Sequence, residues 1–262
     1  MQSKGYRKYL KQIKKDKITV ILTQILLLLF LIFLWQFLAD HNLINTFITS
    51  SPKNILTTII NLIEQDNLFH HIWITTYETI ISFLLGTILG ILISIILWYN
   101  KFLFKVIEPY LTILNSLPKV SLGPILIIWV GANTNSIIVM ALLISVIITI
   151  INVHNGFNST DNNKIKLLQS LNASKIQILR YLILPSNYPT IISSLKINIS
   201  MSLIGVIMGE LLVSKEGIGY LIMYGSQVFN LDLVMTGIII LMLTSYLMYL
   251  SISYIEKLLI KN

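Results

Sequence analysis

Long apolar runs separated by short polar segments set the frame of this chain. From Ile18 to about Leu38 the residues are almost wholly apolar, and about twenty such residues in a helix cross a hydrocarbon core of about 30 Å. Comparable runs follow, so the pattern predicts an all-α integral membrane protein with six transmembrane helices, at 18–38, 73–99, 109–131, 137–153, 190–213 and 233–253. The third run is interrupted by Pro118 and by Gly123-Pro124, which predicts a kinked span with an irregular cytosolic half. Broken helices at membrane depth need protein or a water-lined cavity to satisfy the freed backbone groups. Pro118, Gly123 and Pro124 are therefore candidates for the wall or gate of a pathway, with simple packing kinks as the alternative.

Shorter patterns fill the gaps. Ile55, Ile59, Leu62 and Ile63 recur at helical spacing behind Ser51-Pro52, predicting a short helix at the outer interface. Gly131 to Ser136 reads as a tight outer turn, and Gly217 and Gly219 as a turn before a short amphipathic piece. Gly86/Gly90 and Gly205/Gly209 have the small-xxx-small spacing that lets helix backbones approach closely.

The one long polar stretch between spans is 161–185. Ile165, Leu168 and Leu171 fall at helical spacing, and Ile176, Leu179 and Ile183 repeat it after a break. Asn172 supplies the break, because Asn tolerates the left-handed conformation that ends a helix. Ser174 with Gln177 has the spacing of a capping box, and Pro185 is expected to end the second helix before the next span. The prediction is a two-helix hairpin whose apolar face needs a cover, either a protein or lipid headgroups.

Charge sets the orientation. Fifteen of the nineteen Lys and Arg residues flank one side: seven before Ile18, then Lys101 and Lys105 in an expected turn, four in 161–185, and Lys257 and Lys261. The positive-inside rule puts these segments, and both termini, in the cytosol. The basic residues 1–17 read as a cytosolic N-terminal segment and 18–262 as a single membrane domain. The first run is too long for a signal-peptide core and lacks an A-x-A-like cleavage site, so it reads as a retained helix. With 55% apolar and 11% charged residues and a mean hydropathy of +0.80, a soluble fold is excluded. The net charge of +8 follows from helix flanks and does not point to a nucleic-acid partner. Cysteine is absent, which removes disulfides and thiolate metal sites.

Little suggests catalysis. The chain has no Gly-x-x-x-x-Gly-Lys-Ser/Thr loop to cradle a nucleotide. His41, His70, His71 and His154 show no ligand spacing, the His70-His71 pair reading as interfacial, and Ser121 and Ser214 have no evident base. Charges within the spans are weighed separately, since an ionisable group there is a functional candidate. Lys119 and Lys196 lie near inner ends and can snorkel, and Glu78 lies near an outer end within reach of water. Glu210 follows Gly209 at the close of the fifth span and precedes the outer Gly217-Gly219 loop.

A family resemblance joins these pieces. Leu168 to Ser174 with Leu184-Pro185, Thr75-Thr76, Ser82-Phe83 and Gly86, Leu117-Pro118, Gly123-Pro124, Asn152 and Gly156, Gly209-Glu210-Leu211 and Gly217 to Tyr220 together resemble permease subunits of binding-protein-dependent ABC importers. Their sulfonate/taurine/nitrate branch is the nearest in pattern, over roughly Ile72 to Leu259. The family's acidic residue and paired alanines fall on Lys166, Leu167 and Leu168, and its usual glycine on Asn172. The resemblance implies that Lys166, Leu168, Leu171, Asn172, Ala173, Ser174, Lys175, Ile176, Leu184 and Pro185 belong to a loop that couples to an ATPase. It implies three partners: an ATP-binding subunit that holds the nucleotide, an extracellular solute-binding protein, and a second permease, either another copy in a homodimer or a similar chain. A Glu at the place of Glu210 is typical of the resembled family, which implies a structural cap or gate there. The chain itself would carry no cofactor and no catalytic site. The two glycine-spaced faces would offer close-packing surfaces for that copy. A secondary transporter or channel is the alternative reading, for which paired inverted halves are expected and none is evident.

Overall fold

The computed structural model describes residues 4–65 and 67–260, with side chains from residue 12 to residue 259. The side chains of Lys4, Arg7, Lys8 and Lys11, together with Asp66 and Lys261, lie outside the described residues. Among the described residues twelve α-helices follow in order. They are α1 (Lys4–Asp40), α2 (Thr46–Thr49), α3 (Pro52–Glu64), α4 (Leu68–Tyr99), α5 (Lys101–Ser116), α6 (Gly123–Val130), α7 (Thr134–Asn158), α8 (Asn162–Ser170), α9 (Lys175–Ile178), α10 (Leu184–Val213), α11 (Ile218–Gln227) and α12 (Leu231–Ile260).

Among the described residues five helical stretches are long and apolar enough to cross a membrane: Gln12–Asp40, Leu68–Tyr99, Thr134–Asn158, Lys175–Val213 and Leu231–Leu259. A sixth exists if Lys101–Ser116 and Lys119–Val130, bent by 97° at their junction, count as one broken span. Several expected boundaries move. The basic N-terminal segment is continuous with the first span in α1, so residue 17 marks no structural boundary. Lys101 and Lys105 are not in a turn: Asn100 caps α5 by accepting the Phe102 and Leu103 N–H groups, and the helix starts there, well before Pro109. Sixteen residues of α5 reach about 24 Å, and this carries the break to the far end of the bundle. A Cβ on Gly123 would meet Leu212 near the close of α10 and Met140 near the start of α7. The irregular part therefore lies toward the end that the charge pattern assigns to the outside, not in a cytosolic half.

Helix α7 is the axis of the bundle, packed along both α4 and α10. Ile137, Ala141, Ser145 and Thr149, spaced by four along α7, present one small stripe. Gly205 and Gly209 of α10 press on Ala141 and Ile137, while Gly86 and Gly90 of α4 press on Ser145 and Thr149. Both glycine pairs are thus consumed within the chain, and the expectation that they supply the surface for a second copy is not met. In lipid, where apolar burial no longer discriminates, such close approach and interhelical hydrogen bonds hold helices together. Asn198 of α10 donates to Thr87 of α4 at 2.5 Å, and Ser94 of α4 donates to the Ile150 carbonyl of α7 at 3.2 Å.

Two apolar clusters close the ends. At one, Leu62, Leu68, Ile218, Leu221, Leu233 and Ile240 join α3, α4, α11 and α12. At the other, Val153, Phe157, Ile178 and Ile183 seat the 161–185 segment on α7. Helix α1 stands apart, its most apolar window fully exposed and its main contact made with α3, where Gln36 accepts the Lys53 N–H at 3.0 Å.

Candidate functional site

The segment 161–185 folds as a hairpin by local rules. Asp161 caps α8 by accepting the Asn163 N–H at 2.8 Å. The helix ends in a Schellman motif: Asn172 has φ +56°, its N–H bonds the Gln169 carbonyl, and the Ala173 N–H bonds the Leu168 carbonyl. Leu168 and Ala173, at the two ends of that motif, both pack on the Phe157 cluster. Ser174 then opens α9 through a complete capping box with Gln177.

Pro185 does not end the second helix. Leu179–Ile183 form a π-helical turn, and Leu184 donates to the Leu179 carbonyl, so the helix runs unbroken from Lys175 to Val213. Pro185 has no N–H for the Tyr181 carbonyl, and its ring would crowd that oxygen in an α-helix. Widening the preceding turn relieves the clash.

The hairpin divides its apolar residues between two faces. Ile165, Leu168, Ala173 and Leu184 turn inward onto the Phe157 cluster. Leu167, Leu171 and Ile176 face out, 60%, 71% and 64% exposed. Lys166 is exposed, as is Pro185, and Lys175 lies 5.4 Å from the centre of the Tyr99 ring.

At the other end of the bundle Glu210 is the centre of a buried polar cluster. The first turn of a helix leaves backbone N–H groups without intrahelical partners, and at α11 three in succession are taken by side chains. Gly217 donates to Nδ1 of His71 at 3.0 Å, Ile218 to Oγ1 of Thr75 at 2.8 Å, and Gly219 to Oε2 of Glu210 at 2.6 Å. Thr75 in turn donates to Oε1 of Glu210 at 2.6 Å. A carboxylate at a helix N-terminus is also favoured by the helix dipole. Glycine is required here: Gly217 has φ +100°, and a Cβ on Gly219 would sit 2.7 Å from the Glu210 Cβ.

Glu78, expected to reach water, is instead buried, at 1% exposure. Neither of its oxygens meets hydrogen-bond geometry with a partner; it faces Glu210, and the Thr134 side chain approaches it. Two carboxylates are both acceptors, so no hydrogen bond joins them unless one carries a proton. His71, Thr75 and Glu78 are set at helical spacing on one face of α4, and this polar stripe inside a span was the signal available in the sequence. Pro118, Gly123 and Pro124 gather at the α5–α6 bend: Pro118 precedes a 3-10 turn, and Pro124 lies in the first turn of α6. His70 pairs with Glu216 at 3.2 Å. Lys196, expected to snorkel, pairs with Glu256 of α12. Among the described residues no group of His, Cys, Asp and Glu is arranged to hold a metal ion.

Residues 82–261 match the family model described as binding-protein-dependent transport system inner membrane component. The chain belongs to this family. The permease is 28% identical over 225 residues to a probable ABC transporter permease protein of Haemophilus influenzae, covering 86% of this chain and 91% of that one. It is 28% identical over 231 residues to a putative aliphatic sulfonates transport permease protein, SsuC, of Bacillus subtilis, covering 88% and 84%. It is 28% identical over 235 residues to the formylaminopyrimidine transport permease protein ThiX of Halalkalibacterium halodurans, covering 90% and 93%. In fold it is similar to a chain of a bacterial ABC transporter that imports alginate, with a TM-score of 0.64 at 16% identity over 97% of this chain and 99% of that one. A chain of the inward-facing methionine transporter MetNI gives a TM-score of 0.63 at 19% identity, over 73% and 95%. The protein is thus a multi-pass membrane permease of an ABC importer.

Proposed function

We propose that the permease lines the path of a small solute delivered by an extracellular binding protein, and that its hairpin couples this path to ATP hydrolysis on a separate subunit. One observation carries the coupling assignment: Leu167, Leu171 and Ile176 stay exposed on a hairpin whose own core, caps and continuous junction to α10 are complete. Such a face is a surface for a partner. Fully burying a Leu side chain is worth about 1.5–3 kcal/mol; scaled by exposure, covering the three residues contributes about 3–6 kcal/mol to docking. Leu171→Asp removes about a third of that and buries a charge in its place. Co-purification of the ATPase subunit and solute uptake should both fall, with the membrane fold unchanged. Normal capture and normal uptake by that variant would overturn the assignment and leave lipid as the cover of this face.

The solute reading follows the relatives, whose names include aliphatic sulfonates, taurine, nitrate and formylaminopyrimidine. A path without a strong fixed positive charge suits a conduit that releases its solute, leaving selectivity to the binding protein. A second permease copy completes this reading. With the glycine faces occupied, the broken α5–α6 unit offers the outward apolar surface, including Ile128 and Trp129 at 81% and 77% exposure.

A further inference from the structure

Beneath the hairpin, where it meets the ends of α4, α5 and α7, lies a cavity of ≈ 400 Å³. Phe104, Glu108 and His154 also line a second cavity of ≈ 300 Å³ beside it. Three lysines line the larger space, Lys101, Lys105 and Lys175, against one acidic residue, Glu108. Neither ion pair found among the described residues involves any of these four. His154 supplies an independent sign of a ligand. It is 3% exposed, its ring is stacked on Phe104 at 3.9 Å between centroids, and neither ring nitrogen has a hydrogen-bond partner. The Ser94 carbonyl approaches it without meeting hydrogen-bond geometry. Solvated surface lysines alone need no occupant, but a buried imidazole with both nitrogens open does.

We propose that this cavity is a binding site for a phosphate-type anion, held by the ammonium groups of Lys101, Lys105 and Lys175 and by the His154 imidazole. Excess positive charge selects an anion over a cation, and a tetrahedral oxyanion offers acceptors enough for three ammonium groups and one ring N–H. Two sources share this chemistry: the headgroup of an anionic lipid in the leaflet on this side, and free phosphate from the cytosol. The site does not depend on the hairpin being the ATPase contact, since it is defined by the joint between hairpin and bundle.

The test uses the full-length protein and the variant Lys101→Gln/Lys105→Gln, both positions being exposed and outside the helix-packing faces. Thermal melting first establishes that the variant is folded. In nanodiscs of phosphatidylethanolamine with phosphatidylglycerol, native mass spectrometry counts retained phosphatidylglycerol. In nanodiscs of phosphatidylcholine alone, calorimetry measures binding of inorganic phosphate. A loss of at least tenfold in phosphatidylglycerol retention in the variant assigns the site to lipid, and a like loss in phosphate affinity assigns it to the free anion; about tenfold corresponds to removing just one of the two charge-assisted contacts that the variant deletes. His154→Gln, which keeps a donor, should weaken binding less than the lysine pair. If wild type retains no excess of phosphatidylglycerol and binds no phosphate, or if both are the same in the variant, the proposal is overturned.

Discussion

Replacing Thr75 by Val tests the Glu210 cluster at its centre. Val has nearly the volume of Thr but no hydroxyl, so the change removes two buried hydrogen bonds at once and leaves the packing as it was. One is the 2.6 Å donation to Glu210 Oε1, the other the 2.8 Å acceptance of the Ile218 N–H. Each buried group left unpaired costs about 1–3 kcal/mol, with charged acceptors at the upper end, so Thr75→Val should destabilise the fold by about 2–6 kcal/mol. Thr75→Ser keeps the hydroxyl and loses one methyl, a cost of about 1 kcal/mol. Thermal unfolding in detergent micelles compares the two. Hydrogen exchange localises the effect, because the Ile218 amide should lose protection in the Val variant alone. If Thr75→Val melts with Thr75→Ser and the Ile218 amide stays protected, the cluster does not hold α11 to α4 and α10 as described.

Three further tests address the Glu78 carboxyl, the helix-packing glycines and the hairpin turn. Glu78→Gln replaces a carboxyl that meets hydrogen-bond geometry with no partner with an amide able to donate to Glu210, and should raise the melting temperature, equivalent to about 1–2 kcal/mol; a lower melting temperature would contradict this. Gly205→Ala drives a Cβ into the Ala141 backbone and should cost about 1–3 kcal/mol, whereas Gly237→Ala meets only the Ile222 side chain and backbone edge and should cost less in the same melt. At the hairpin turn, Asn172→Gly should be tolerated, while Asn172→Val forces a branched side chain into left-handed backbone at about 1–2 kcal/mol, read as faster proteolysis between α8 and α9.

What was legible in the sequence was what the chain decides locally. The Asn172 turn, the Ser174-Gln177 box and the Ser51-Pro52 helix start each depend on a few neighbouring residues, and each stands as read. The membrane runs were legible for the same reason, their hydrophobicity being a property of one segment at a time. Contacts between distant segments were not. Glu78 meets Glu210 only because α4 and α10 both pack on α7; the polar stripe of His71, Thr75 and Glu78 marks a face of α4 but does not name its partner. Leu168 and Leu171 have the same local spacing, yet Leu168 turns to Phe157 and Leu171 turns away. Lys101 and Lys105 resemble a turn by charge, but Asn100 starts α5 ahead of them, and that shift relocates the whole break of the third span. Pro185 misled because its effect depends on the turn before it: a π turn gives the ring the room that an α-helix denies.

That π turn also has a geometric meaning. It holds one more residue than the α turn it replaces, and each residue of an α-helix advances the screw by about 100°. The extra residue among Leu179–Ile183 therefore sets the phase between the stripe of α10 that meets α7 and the direction in which Leu171 and Ile176 point. Deleting any one of the five would swing the hairpin about the α10 axis by about a quarter of a revolution, with every side chain of both surfaces left in place. The bearing of the hairpin on the bundle is thus stored as a count of residues, an inheritance of length rather than of chemistry.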